Sequence, residues 1–142
     1  MKILFVCAEY YPEILKLLTI SANDIIKKES KNLEFSSIRL IKVPGIFEIP
    51  VVIAKNIKKY DAFIALGCVI KGETPHFDLI SQSVTNAIMN LSITYKKPIG
   101  NGIITCLNKK QALERSGIYK KNKASEATKA TLSVLGILKS NA

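Results

Sequence analysis

Seven consecutive residues, Gly72-Glu73-Thr74-Pro75-His76-Phe77-Asp78, combine the side-chain types needed to bind an anion and move a proton. Gly72 lets the backbone approach a ligand closely, and Thr74 adds a hydroxyl to the loop amides. A loop ahead of a helix N-terminus presents unpaired N–H groups and a favourable dipole, which suits phosphate. His76 is the only histidine in the chain, and imidazole exchanges protons readily near neutrality. The same residues also allow a plainer reading, in which Thr74 caps the helix and His76 is a surface side chain.

A second stretch, Val43-Pro44-Gly45-Ile46-Phe47-Glu48-Ile49-Pro50, places a carboxylate and an aromatic ring in one loop. Glu48 could accept hydrogen bonds from sugar hydroxyls while Phe47 walls a pocket; alternatively, Phe47 is core and Glu48 a solvated first-turn residue. Tyr10 and Tyr11 offer flat faces on which a planar heterocycle could stack, or simply pack at a strand end. Arg115 and Lys123 are candidate phosphate partners, since guanidinium geometry suits bidentate oxygen recognition. Each could equally be a solvated helix residue.

The elements that must position these side chains alternate along the chain. Residues 2–8 form a short apolar run of strand type, and Pro12 sits where a helix can begin. Ile14, Leu17, Leu18, Ala22, Ile25 and Ile26 then recur at helical spacing. Residues 35–43 return to a strand pattern, Pro44-Gly45 marks a turn, and Pro50 suits the first turn of a helix through about Lys59. Ala62–Ile70 is a nearly unbroken apolar run, as a strand covered on both faces requires. A helix is expected over Asp78–Tyr95, a strand from Pro98 to Thr105, and helices over Asn108–Arg115 and Lys123–Leu138.

Strands alternating with helices predict a parallel sheet with helices on both faces. Ligands then gather on loops at the carboxyl ends of strands. Pro44–Pro50, Lys71–Asp78 and Gly100–Gly102 are such loops, and Tyr10-Tyr11 follows the first strand in the same way.

Bulk properties narrow the classes. A chain of 142 residues suits one domain, with no linker or internal repeat, and can bury a self-sufficient core. No apolar run approaches the ~18 residues needed to span a bilayer. Glu9 and the two tyrosines interrupt the apolar start before a signal-peptide core could form, so a cytoplasmic location is expected. Cys7, Cys68 and Cys106 lack CxxC spacing, and one histidine makes a cysteine–histidine metal site unpromising. They read as reduced core or site-lining thiols. The net charge is +10, which suits an anionic small molecule as well as nucleic acid. From Asn108 onward eight basic residues face only Glu114 and Glu126, spread between apolar positions as on a solvated helix face.

Taken together, the segments resemble the lumazine synthase family. Its VPGxFEIP loop matches Val43–Pro50, its GxxxHxD segment Gly72–Asp78, and its GxLT strand end Gly102-Ile103-Ile104-Thr105. Its QAxER helix matches Gln111–Arg115, and an NK pair follows at Asn122-Lys123. The match runs from Ile3 to the last helix. It implies a three-layer α/β sandwich with a four-stranded parallel sheet, doubly wound and flavodoxin-like.

The resemblance also implies an activity: cofactor-free, metal-free condensation of 5-amino-6-(D-ribitylamino)uracil with 3,4-dihydroxy-2-butanone 4-phosphate in riboflavin biosynthesis. By analogy Tyr10 lies under the pyrimidine ring, and Ile46, Phe47 and Glu48 line the ribityl side. Cys68, Val69 and Ile70 give backbone contacts to the heterocycle. Glu73 and Thr74 bind the phosphate, Lys123 assists, and Arg115 reaches it from a neighbouring subunit. His76 matches the proton-transfer position, so His76 and Arg115 carry the catalytic roles. The implied partners are further copies in a homopentamer with sites between subunits, and riboflavin synthase.

The chain departs from the family pattern at three places. Many relatives have Phe-Asn where this chain has Tyr10-Tyr11, so stacking survives but the Asn contact does not. Asn101 replaces a common phenylalanine and makes that pocket wall polar. The chain also starts almost directly at its first central strand, which argues mildly for a pentamer over a larger shell.

One rival is a homologue that keeps the pocket but has little turnover and sequesters flavin or lumazine, a reading favoured by Tyr11 and Asn101. A nucleic-acid-binding domain would explain the charge, but no helix-turn-helix or RNA-binding aromatic signature supports it. A signalling receiver is disfavoured because no acidic pair follows the first strand.

Overall fold

The computed structural model describes residues 1–30, 33–73, 75–117 and 122–141. Four strands, β1 (Lys2–Ala8), β2 (Ser37–Val43), β3 (Ala62–Ile70) and β4 (Ile99–Cys106), form one sheet in the order β2-β1-β3-β4. All pairings are parallel, with Lys2 opposite Ser37, Ile3 opposite Ala62 and Phe63 opposite Ile99. Every residue of β3 is buried, and so is all of β1 after Lys2. That is why these two strands read as apolar runs without alternation. The order places β1 beside β3, with the chain winding outward from them in both directions. The fold is a doubly wound, flavodoxin-like α/β sandwich.

Pleating sends alternate side chains to opposite faces. Ile3, Phe5 and Cys7 of β1 join Ile64 and Leu66 of β3 in one apolar cluster. Helices α1 (Pro12–Glu29), α4 (Lys109–Ser116) and α5 (Lys123–Asn141) cover it, contributing Ile14, Leu18, Ala112, Ala124 and Leu132. Leu4 and Val6, with Phe63 and Ala65, face the other cluster. Helices α2 (Ile49–Asn56) and α3 (Phe77–Tyr95) cover that side through Ile49, Ile53, Val84 and Ile88. Among the described residues, no helix is long and apolar enough to cross a membrane.

Most element boundaries fall within two residues of the periodicity. Four differences are local. The second strand starts at Ser37 rather than residue 35, because Phe35 instead packs from the loop against the α1-side cluster. A 3-10 turn, Ile46–Glu48, precedes α2. Helix α2 stops at Asn56 rather than near Lys59, where the Ile57 amide bonds to Ala54 O and the Lys59 amide to Asn56 O. The last helix runs three residues beyond Leu138.

Candidate active site

The sheet's outward winding opens a crevice at the carboxyl ends of β1 and β3. Two glycines shape it. A Cβ on Gly67 would lie 3.0 Å from both Ala8 Cβ and Ile46 Cγ2, so glycine lets the 3-10 turn settle directly onto the strand ends. Gly72, in the β3–α3 loop, has φ +86°, the left-handed region that glycine enters without steric cost.

Over the crevice lies a hollow of about 280 Å³ lined by Tyr10, Ile46, Phe47, Glu48, Cys68 and Val69, together with Pro44, Gly45 and Ile80. Its floor is the end of β3, and two aromatic side chains stand at its rim. Tyr10 and Phe47 are 62% and 64% exposed, so their rings remain available to a ligand. Phe47 is therefore not a core residue. Six of the residues expected to bind substrate are thus brought together. Ile70 is not among the lining side chains; it is 1% exposed and belongs to the α1-side cluster, which leaves only its backbone for a ligand.

Glu48 has a second task. Its Oε1 accepts a hydrogen bond of 2.9 Å from the Gly45 amide, and the Glu48 amide donates to Gly45 O at 3.2 Å. The carboxylate therefore holds its own loop closed. Its other oxygen accepts no hydrogen bond among the described residues, which leaves it for a ligand hydroxyl.

Around the β3–α3 loop, Glu73 is exposed and its Oε2 accepts a 2.9 Å hydrogen bond from Tyr11 Oη. Thr74 lies outside the described residues. His76 occupies the N-cap of α3 with φ 59° and ψ 37°, and it makes no side-chain cap. A non-glycine residue in this left-handed region is strained and worth functional scrutiny. The side chain is exposed.

Arg115, Lys123 and Asn101 do not line this hollow. They sit by β4, at the sheet edge. Arg115 Nη1 donates to Thr105 O at 2.8 Å, and a second hollow of about 260 Å³ is lined by Ile104, Thr105, Arg115, Asn122 and Lys123. Lys123 is exposed overall, yet neighbouring groups partly desolvate its ammonium. This draws its pKa below the ordinary lysine value, with Glu126 working the other way. Asn101 lines a third hollow of about 400 Å³ with Lys123, Gly100, Ala127 and Thr131. Its amide oxygen accepts from Ile103 N at 3.1 Å, capping the strand edge.

Sequence reasoning missed the role of Asn122. This residue is 4% exposed and its Oδ1 accepts from Ser125 N at 3.0 Å, capping α5, while Nδ2 donates to Ser21 Oγ at 2.7 Å. It fixes the helix start from which Lys123 projects. Ile80 was also missed; the helical spacing Ile80, Val84, Ile88 was the available signal.

All three thiols are reduced and buried. Burial pushes Cys7 up to about 12, with Lys42 opposing it. Burial also raises Cys68 to about 12, aided by its contact with Cys106, and raises Cys106 despite Arg115 beside it. These are poor nucleophiles. Among the described residues, no group of three or more His, Cys, Asp or Glu side chains could hold a metal ion.

Fold and site together define a doubly wound α/β protein with a crevice at its switch point and cationic side chains at one sheet edge. Residues 1–139 match the family model for 6,7-dimethyl-8-ribityllumazine synthase. The chain is similar to the 6,7-dimethyl-8-ribityllumazine synthase of Buchnera aphidicola subsp. Baizongia pistaciae, with 41% identity over 138 residues, 96% of this chain and 86% of that protein. The synthase of Methylorubrum populi is 38% identical over 143 residues, 96% of this chain and 82% of its own. That of Bartonella bacilliformis is 38% identical over 141 residues, covering 96% and 90%. The chain belongs to the 6,7-dimethyl-8-ribityllumazine synthase family.

Proposed function

We propose that this chain condenses 5-amino-6-(D-ribitylamino)uracil with 3,4-dihydroxy-2-butanone 4-phosphate, giving 6,7-dimethyl-8-ribityllumazine, phosphate and water, in the cytoplasm. It is a transferase of riboflavin biosynthesis. The observation that carries the site assignment is the hollow itself, where two exposed aromatic rings and a loop-closing glutamate stand over the β3 end. Tyr10 offers a stacking face to the pyrimidine, the Cys68–Ile70 backbone offers amides and carbonyls to its edge, and Glu48 meets the ribityl hydroxyls with Ile46 and Phe47 alongside.

The chemistry asks for positioning and proton transfer. The weakly basic aromatic amine attacks the ketone and water leaves to form an imine; phosphate is then eliminated, and the second amine attacks the remaining carbonyl and closes the ring with loss of a second water. Holding two substrates at reacting distance supplies much of the acceleration. His76 moves protons, while the loop around Gly72–Thr74 and the cations Arg115 and Lys123 receive the departing phosphate.

Because Arg115, Lys123 and Asn101 lie by β4 and outside the Tyr10–Glu48 hollow, a second copy completes the site by presenting its β4 edge to that hollow. A head-to-tail interface of this kind closes into a ring, here a homopentamer. Exposed Leu79, Met89 and Ile93 of α3 and Ile137 of α5 supply apolar surface for neighbouring copies to cover. Association with riboflavin synthase would pass the product onward.

The test is an assay of the purified chain with both substrates, following lumazine absorbance above the uncatalysed background. Turnover that disappears in Arg115→Ala and falls in His76→Ala is expected. No turnover with tight binding of a flavin or ribityl-pyrimidine would instead make this a binding protein, the outcome that Tyr11 and Asn101 would favour.

A further inference from the structure

We propose that Tyr11 is a positioning residue that couples the two substrate subsites, holding the phosphate-receiving loop through Glu73 while bracing the ring of Tyr10. The inference rests on the reading of the site given above. Two contacts carry it. Tyr11 Oη donates to Glu73 Oε2 at 2.9 Å, joining residues 62 positions apart. The Tyr11 ring also meets the Tyr10 ring edge-on, with centroids 4.9 Å apart and planes at 70°, a favoured aromatic geometry.

The backbone of Tyr11 is well placed to act as an anchor. It precedes Pro12, which bars the helical region and keeps it extended, at φ −118° and ψ 87°. Its carbonyl accepts from the Leu15 amide at 3.0 Å, fastening it to the first turn of α1. At the start of the loop it reaches, Lys71 N bonds to Cys106 O at 2.9 Å and Glu73 N to Ile70 O at 3.3 Å, beside the left-handed Gly72.

The tether matters because of charge. A glutamate on a loop that must receive a phosphate dianion raises the cost of binding if its carboxylate can swing toward the anion. The Tyr11 hydroxyl occupies that carboxylate and directs it to the β1–α1 junction. On the same rim Lys109 bonds Glu13 at 2.9 Å, so a second acidic side chain at the start of α1 is likewise engaged.

Steady-state kinetics of the full chain, with each substrate varied in turn, tests the coupling. Tyr11→Phe keeps the ring and removes the tether. KM for the dihydroxybutanone phosphate should rise about fivefold, as expected for loss of one exposed hydrogen bond to a charged group, while kcat and KM for the pyrimidine stay within about twofold. Tyr11→Leu, which also removes the edge against Tyr10, should raise both KM values. In a Glu73→Ala background Tyr11→Phe should have no further effect, the signature of one shared interaction. An active chain whose Tyr11→Phe variant keeps the wild-type KM, or whose two substitutions act additively, overturns this inference alone. Absence of turnover in the unsubstituted chain overturns the reading of the site and, with it, this role for Tyr11.

Discussion

The Glu48 carboxylate accepts the Gly45 amide at 2.9 Å, so the residue expected to greet the ribityl chain also closes the loop that presents it. Glu48→Ala removes both functions, and KM for the ribitylaminouracil should rise at least about tenfold, the size of a lost hydrogen bond to a charged group. Glu48→Gln retains an oxygen for Gly45 and should keep the melting temperature of the wild type. An unchanged pyrimidine KM in Glu48→Ala would remove Glu48 from the site.

The proposed proton-transfer role of His76 falls on a residue with a left-handed backbone. Its φ of 59° lies where an L-residue is disfavoured by roughly 1–2 kcal/mol. Replacement by glycine should therefore raise the unfolding midpoint slightly while lowering kcat about 100-fold, the order expected for lost acid–base catalysis. Alanine should lower kcat equally without the gain in stability. Thermal melts beside single-turnover rates distinguish the two effects, and a fully active His76→Gly would rule out proton transfer by this side chain.

The proposed site, shared between two copies, predicts complementation. Arg115→Ala damages the β4 edge and His76→Ala the β3–α3 loop beside the opposite hollow, so each variant alone should be nearly inactive. Unfolded together and refolded, they should regain roughly a quarter of wild-type activity, because random assembly pairs an intact loop with an intact edge in half times half of the interfaces. Recovery no greater than the sum of the separate variants would place the whole site within one chain.

Asp61 predicts an acid limb to stability. Burial opposes its ionisation, but the Lys2 amide at 2.7 Å and the Lys139 ammonium at 3.4 Å together outweigh it, and the carboxyl titrates below its ordinary value. A lowered folded pKa means stability present above about pH 4 and lost as pH falls through the folded value. The contribution is small, within about 1 kcal/mol, because the pair is partly exposed. The melting temperature of Asp61→Asn should fall less than that of the wild type between pH 5 and 2; parallel curves would remove Asp61 as a contributor.

The buried thiols make a labelling prediction. With Cys7 and Cys68 pushed to about 12, little thiolate exists at pH 8, and native protein should react with a thiol reagent over hours. Unfolding in denaturant should expose all three cysteines within minutes. Fast labelling of the native chain at Cys68 would show that the crevice opens.

Much of this molecule is written locally. β3 was legible because a strand buried on both faces needs an unbroken apolar run, and α1 because Pro12 and the 3.6-residue recurrence of Ile14, Leu18, Ala22 and Ile25 define one buried stripe. The placement of Tyr10, Phe47, Glu48 and His76 at strand-to-helix junctions was legible because proline, glycine and the change of hydrophobic period mark those junctions. Tertiary structure decided which strands are neighbours, and so where those loops meet. It separated Arg115 and Lys123 from the Tyr10–Glu48 hollow by placing β4 at the sheet edge. It also made the Tyr11–Glu73 and Ser21–Asn122 hydrogen bonds, between residues 62 and 101 positions apart. Periodicity records which face of an element is buried, because burial follows the local repeat of the backbone. It carries no record of which distant polar group will lie within 3 Å, since that depends on how all the buried faces pack at once.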